Sequence, residues 1–117
     1  MADSTDARRE ALESLLLLRD PVQAAIQRVS SFPWDSEVRL AVLTRADAHR
    51  VVTGFLEGSL SAEECEEWAN AVEGRDDVGL ENGSEELLKE FLFELGTPEL
   101  TRPLTQSTAK EWILKLL

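Results

Sequence analysis

Helix start and stop signals follow one another at short intervals along this chain. Serine or threonine residues that can cap a helix precede most of the apolar periodic segments, and glycine closes several of them. The caps are Thr44, Ser61, Ser84 and Thr105, and the closing glycines are Gly58, Gly74 and Gly96. Helices of about a dozen residues are marginal alone, so they must pack on one another. The pattern therefore predicts a bundle of short helices.

The spacing of apolar residues between these start and stop signals predicts the extent of each helix. The predicted ranges are about 5–19, about 21–29, 45–57, 62–73, 85–95 and a last helix after Thr105. Between them, Val38, Leu40 and Val42 alternate with other residues, but no second strand is visible to pair with them. We expect an extended segment near 38–43, with a short strand as the alternative. The predicted fold class is all-α, an irregular or orthogonal bundle of five or six helices.

The length of 117 residues suits a single helical domain over 1–117, with residues 1–4 frayed. The longest apolar run, four leucines at 15–18, is far shorter than a membrane span, and residues 1–10 lack the apolar core of a signal peptide. Cys65 is the only cysteine, so no internal disulfide can form. We expect a soluble, cytoplasmic protein.

Negative charge is concentrated in the middle of the chain. The formal net charge is -11, and the segment from Glu57 to Glu99 holds fourteen Asp and Glu against two basic residues, a net of -12. Phosphate binding needs a basic patch, so nucleic acid and anionic membrane are unlikely to be direct ligands. A basic protein surface is the natural partner. The alternative is that the charge only keeps the protein soluble.

The predicted helix 62–73 separates its carboxylates from its apolar residues. At 100° per residue, Cys65, Trp68 and Val72 face the core, and the glutamates face outward. The charge continues into the loop that follows, where Arg75 can pair with Glu73 or a nearby carboxylate. Asp76 and Asp77 can either cap turns or face a partner. The candidate partner-binding residues are Glu63, Glu66, Glu67, Glu73, Asp76, Asp77 and Glu81.

Phe93 lies on the side of the helix 85–95 opposite its other large apolar residues. We expect another element to bury it, with an exposed anchor for a partner as the alternative.

Residue patterns typical of enzymes and metal sites are missing from the sequence. His49 and Cys65 each stand alone, and HExxH, CxxC and glycine-rich phosphate loops do not occur. The loop RDDVGLENG fails the EF-hand spacing whether counted from Asp76 or from Asp77. We therefore expect no enzymatic activity, no cofactor and no metal.

Three stretches carry a resemblance to a known kind of protein: FPWD at 32–35, GSLSAEECEEWANAVEGRDDVGLE at 58–81 and FELGTPELTRPLT at 93–105. Over about residues 20–117 the chain resembles a family of small acidic, mostly uncharacterised bacterial proteins, some of which look like immunity proteins of the colicin D or contact-dependent-inhibition type. The resemblance implies a non-enzymatic inhibitor that masks the basic surface of a toxin such as a nuclease. The alternative function is an adaptor or structural helical domain whose acidity serves solubility only. A homodimer is one option for this alternative, and the sequence leaves the oligomeric state open.

Overall fold

The computed structural model describes residues 4–117, in which six helices and two short strands form the fold. The elements are α1 (Ser4–Leu17), α2 (Val22–Val29), β1 (Ala41–Leu43), α3 (Arg45–Glu57), α4 (Ala62–Glu73), β2 (Val78–Leu80), α5 (Glu85–Gly96) and α6 (Gln106–Lys115). This confirms the predicted all-α bundle with one short extended segment near 38–43. The sequence predicts that residues 1–4 are frayed. Residues 1–3 lie outside the described residues, and Ser4 is the first residue of α1.

Three helices begin at capping boxes, in which the side chain at the cap and the side chain three residues later each accept a backbone N–H. Thr44 pairs in this way with Asp47, and Ser61 with Glu64. Thr105 pairs with Thr108 at the start of α6. Gly58 ends α3 in the left-handed conformation, with φ of 85°. These local bonds explain why the predicted limits of α3 and α4 agree with the structure.

Four predicted helix limits differ from the structure. Gly96 is the last residue of α5 and Thr97 is the C-cap, so Gly96 does not close that helix in the left-handed conformation. Gly74 has φ of -79°, so it does not end α4 in the left-handed conformation. Ser84 makes no side-chain cap bond; instead a carboxylate oxygen of Glu85 accepts the Gly83 N–H at 2.9 Å. Helix α1 stops at Leu17 because Leu18 takes φ of 53°, and the Arg19 N–H then reaches the Ser14 carbonyl at 3.1 Å. A left-handed leucine is unfavourable by about 1–2 kcal/mol, so tertiary packing must hold it.

Three aromatic rings form the centre of the core. Phe91 meets Trp68 edge-to-face at 6.3 Å and Trp112 at 5.2 Å between ring centroids. Both tryptophans are buried, and each indole N–H has a partner. The Trp68 Nε1 donates to the Leu15 carbonyl at 2.9 Å, and the Trp112 Nε1 donates to Glu94 Oε2 at 2.6 Å. These contacts join α1, α4, α5 and α6 around one core.

The extended segment is a strand, and its partner lies in the loop after α4. Strand β1 pairs in parallel with β2, in the register Ala41 with Val78 and Leu43 with Leu80. The expectation that no second strand would pair with the segment is therefore wrong. Gly79 lies beneath Arg39, and a Cβ at Gly79 would stand 2.7 Å from Arg39 Cδ. The small sheet fixes the loop that leads from α4 to α5.

Candidate protein-binding surface

The outward side of α4 carries four of the candidate carboxylates. Glu63 and Glu73 are exposed, and Glu66 and Glu67 are half-buried. Among residues 4–117, no Lys, Arg or His side chain pairs with any of the four. The opposite side buries the apolar residues that the sequence predicts, namely Cys65, Trp68, Ala69 and Val72. Helix α4 thus presents unpaired negative charge to solvent.

Asp76 extends this charge beyond the end of α4. Its side chain is exposed, and its backbone N–H donates to the Trp34 carbonyl at 2.9 Å. That bond fixes the position of the loop, so the carboxylate is held close to the end of the helix.

Asp77 does not belong to the outward surface, and the expectation that it faces a partner is wrong. Its side chain is fully buried. Arg75 donates from Nε to Asp77 Oδ1 at 2.9 Å and from Nη2 to Oδ2 at 3.0 Å, and Arg8 Nε donates to Oδ2 at 2.8 Å. The predicted carboxylate partner of Arg75 is therefore Asp77. We call Asp77, Arg75 and Arg8 the Asp77 cluster.

The Asp77 cluster holds the loop that joins α2 to β1. Arg75 Nη2 and Arg8 Nη2 both donate to the Pro33 carbonyl at 2.8 Å. Arg8 also reaches the Asp35 carbonyl at 2.9 Å, and Arg75 reaches the Val29 carbonyl at 3.1 Å. Burial raises the pKa of Asp77, but the hydrogen bonds and charges of Arg75 and Arg8 outweigh it, so its pKa lies below the usual value. The role of this aspartate is structural.

Glu81 also has a structural role. It is half-buried, and its Oε1 accepts the Arg45 N–H at 2.7 Å. A carboxylate at the N-terminus of α3 satisfies a backbone donor there and complements the helix dipole. Glu81 is therefore engaged at a different helix from the α4 carboxylates, and the expectation that it belongs to their face is wrong.

Helix α5 adds carboxylates that the candidate set omitted. Glu86 and Glu90 are exposed, and so is Lys89, which lies 4.0 Å from Glu86. Their spacing of four residues places both acids on one side of the helix, and this signal is readable in the sequence. Glu94, by contrast, is engaged inward by Arg102 and Trp112.

Helices α4 and α5 approach closely. A Cβ at Gly96 would stand 2.5 Å from Asn70 Oδ1, so the two helices approach this closely only because glycine has no side chain. We use the name acidic surface for the outward-facing carboxylates of α4, of the loop after it and of α5. These are Glu63, Glu66, Glu67, Glu73, Asp76, Glu86 and Glu90.

An apolar groove of about 410 Å³ adjoins the acidic surface between α4, β2 and α5. We call it the β2 groove. Its lining is Val72, Glu73, Arg75, Val78, Leu80, Lys89, Leu92 and Phe93.

Phe93 is 47% exposed, so the expectation that another element buries it is wrong. A second groove, of about 460 Å³, lies beside Glu63 and Glu66 at the other end of α4. Exposed apolar side chains next to charge are typical of protein-binding surfaces.

The residues capable of nucleophilic or metal chemistry are dispersed. Cys65 is buried, and that burial, with Glu64 nearby, raises the pKa of its thiol to about 12. His49 is half-buried, and its Nδ1 lies 3.4 Å from the Thr53 hydroxyl. Over the described range, no group of three His, Cys, Asp or Glu side chains is arranged to hold a metal ion. In the same range, no helix combines the length and apolarity that crossing a membrane requires.

No protein-family model, no curated protein and no solved structure matches this chain. The functional inference therefore depends on the acidic surface and the β2 groove.

Proposed function

We propose that this protein is a non-enzymatic protein-binding domain, and that its acidic surface docks on a basic protein. The observation that supports this most is that four carboxylates of α4 have no basic partner within the described residues. Arg8 and Arg75 pair with Asp77, and Arg102 pairs with Glu94 and Glu111, whereas Glu63, Glu66, Glu67 and Glu73 are paired with no basic side chain in the described part of the chain. Repulsion among these acids disfavours folding, and a cationic partner would relieve it.

The most specific form of the proposal is an immunity or inhibitor protein that masks a basic, nuclease-like toxin surface. Enzymes that bind nucleic acid carry the basic patch that an acidic inhibitor needs to cover. Electrostatic complementarity would speed association, and exposed apolar residues such as Phe93 would slow dissociation. The resemblance to immunity proteins is consistent with this form, but the proposal does not depend on it.

The test uses two variants with the same change in charge. The first, E66K/E67K/E73K, reverses three carboxylates of the acidic surface. The control, E37K/E57K/E99K, reverses three exposed acids elsewhere, none of which pairs with a basic side chain in residues 4–117. Both variants should fold, because exposed substitutions shift stability by about 0.5 kcal/mol or less each and the half-buried Glu66 and Glu67 make no ion pair in residues 4–117 that the change would break. Circular dichroism of both variants checks this.

Each protein is used as bait in extracts of the source organism. We expect a basic protein that the wild type and the control capture and the first variant does not. A captured toxin should also lose its activity when the wild-type protein is added. The proposal fails if every captured protein binds the first variant and the control equally well, since net charge alone would then explain binding.

One observation favours the alternative of a homodimeric adaptor. Leu114, in the last turn of α6, and Leu117, two residues beyond that helix, are 71% and 72% exposed. Light scattering at low and high salt distinguishes the two functions. A dimer that persists at all salt concentrations would favour the adaptor, because an apolar interface is insensitive to screening.

A further inference from the structure

Within residues 4–117, the outer edge of β2 presents backbone groups that bond to no other group. The Asp77 carbonyl accepts the Ala41 N–H at 3.2 Å, and the Glu81 N–H donates to the Leu43 carbonyl at 2.9 Å. Because the groups of a strand alternate in direction, Gly79 also faces β1, and Val78 and Leu80 face away from it. Throughout residues 4–117, no other group bonds to the N–H or C=O of Val78 or Leu80. Four backbone groups are thus available for an added strand.

The β2 groove lies directly beside this edge. Val78 and Leu80 belong to its lining, together with Val72, Leu92 and the exposed Phe93. An extended segment that paired with β2 would turn every second side chain into this apolar groove. Backbone hydrogen bonds would then supply part of the affinity, and the groove would select the alternate side chains.

The charge around the edge indicates which segment fits. Glu73 lines the groove and Asp76 lies two residues before Val78. Glu86 and Glu90 precede Phe93 on the exposed side of α5. Two exposed basic residues lie nearby: Lys89, which is 4.0 Å from Glu86, and Arg39, which packs over Gly79. A second copy of this chain would bring the same acids against each other across a paired edge. In a segment with lysine or arginine between apolar residues, the basic side chains project on the face of Gly79 and Arg39. The four acids outnumber the two bases around the edge, so such a segment is still attracted by net negative charge.

We propose that the outer edge of β2 binds an extended basic segment of the partner protein. The segment adds a strand to the sheet and places alternate apolar side chains in the β2 groove. About five residues of such a segment span the edge. This inference rests on the proposed function, because it assigns a segment and a site to the basic partner.

The probe is an end-capped peptide of about nine residues in which valine alternates with lysine, titrated into the full-length protein with detection by NMR. We expect saturable binding, with the largest changes at the amides of Val78 and Leu80 and at Phe93. A matched peptide of valine and glutamate tests charge and should bind at least about tenfold more weakly. The F93A variant, which changes an exposed side chain, should weaken binding roughly fivefold.

Two further peptides test strand pairing without altering the protein. One carries N-methyl groups on the valine amides, and the other carries them on the lysine amides. Because amides alternate between the two edges of a strand, only one set can face β2. We expect one methylated peptide to lose roughly tenfold in affinity and the other to bind as the parent does.

Equal affinity of the two methylated peptides, whether both bind or both fail, overturns the proposal. So does the absence of saturable binding, or a response confined to α4. The proposed function is tested separately, because the bait comparison does not use the peptides. If the acidic surface captures a basic protein but the peptides show no edge pairing, the strand site is wrong and the protein-binding function stands.

Discussion

Replacing Asp77 with asparagine tests whether the Asp77 cluster anchors the fold. The substitution keeps the size of the side chain but removes its charge, which leaves Arg75 and Arg8 without a counter-ion. Arg75 is 9% exposed and Asp77 is fully buried, so little water can compensate. Removing one partner of a buried ion pair destabilises proteins by about 3–5 kcal/mol. We expect a loss in that range, which is a large part of the usual 5–15 kcal/mol of stability.

The assay is urea denaturation at neutral pH, followed by the fluorescence of the three tryptophans. Asp76→Asn is the matched control, because its side chain is exposed and the backbone bond to Trp34 is retained. The control should change the free energy of unfolding by about 0.5 kcal/mol or less. A loss below about 1 kcal/mol for Asp77→Asn would refute the anchoring role.

The same variant should alter the response of stability to acid. The folded state lowers the pKa of Asp77, so this group contributes stability above its unfolded pKa of about 3.9. That contribution decreases as the pH falls through the lower, folded pKa. The wild type should therefore lose more stability than Asp77→Asn between neutral pH and the acid range. A loss of equal size in both proteins would show that the Asp77 cluster does not control the acid-induced loss of stability.

Three further predictions concern single residues. The Cys65 thiol, with its pKa of about 12, should react with alkylating reagents roughly a thousandfold more slowly in the folded protein than in urea, and equal rates would contradict its burial. Thr44→Ala should lower the free energy of unfolding by about 1 kcal/mol and Thr44→Ser by much less, since serine also caps helices. Phe93→Ser should change stability by less than about 1 kcal/mol, because Phe93 is 47% exposed; a larger loss would mean that Phe93 belongs to the core.

The sequence predicts the helices well because their limits are set by local chemistry. Thr44 and Ser61 bond to residues only three positions away, so the start of each helix is visible in a short window. Leu18 is different, because its left-handed conformation is held by packing and leaves no local signal. The end of α1 therefore fell two residues before the predicted limit.

The strands could not be predicted in the same way. Each has three residues, and the pairing joins Ala41 to Val78 across α3 and α4. The sequence around β2 has the composition of a turn, and only the folded chain brings β1 beside it.

The candidate site was predicted in part. The outward position of the α4 glutamates follows from helical spacing alone. The burial of Asp77 could not be seen in the sequence, because one of its partners, Arg8, lies in the first helix. Glu81 likewise bonds to Arg45, at the start of a helix earlier in the chain. Charge counting treats all these acids alike, whereas the fold separates them into structural and outward-facing groups.

The most direct test of the proposed docking is the salt dependence of association between this protein and the basic protein that the bait experiment is expected to capture. Association rates are measured by stopped flow over a range of ionic strength for the wild type, E66K/E67K/E73K and E37K/E57K/E99K. We expect the wild-type rate to fall steeply with salt, the first variant to associate slowly with a nearly flat dependence, and the control to lie close to the wild type. Indistinguishable slopes for the two variants would contradict the claim that the acidic surface guides the partner.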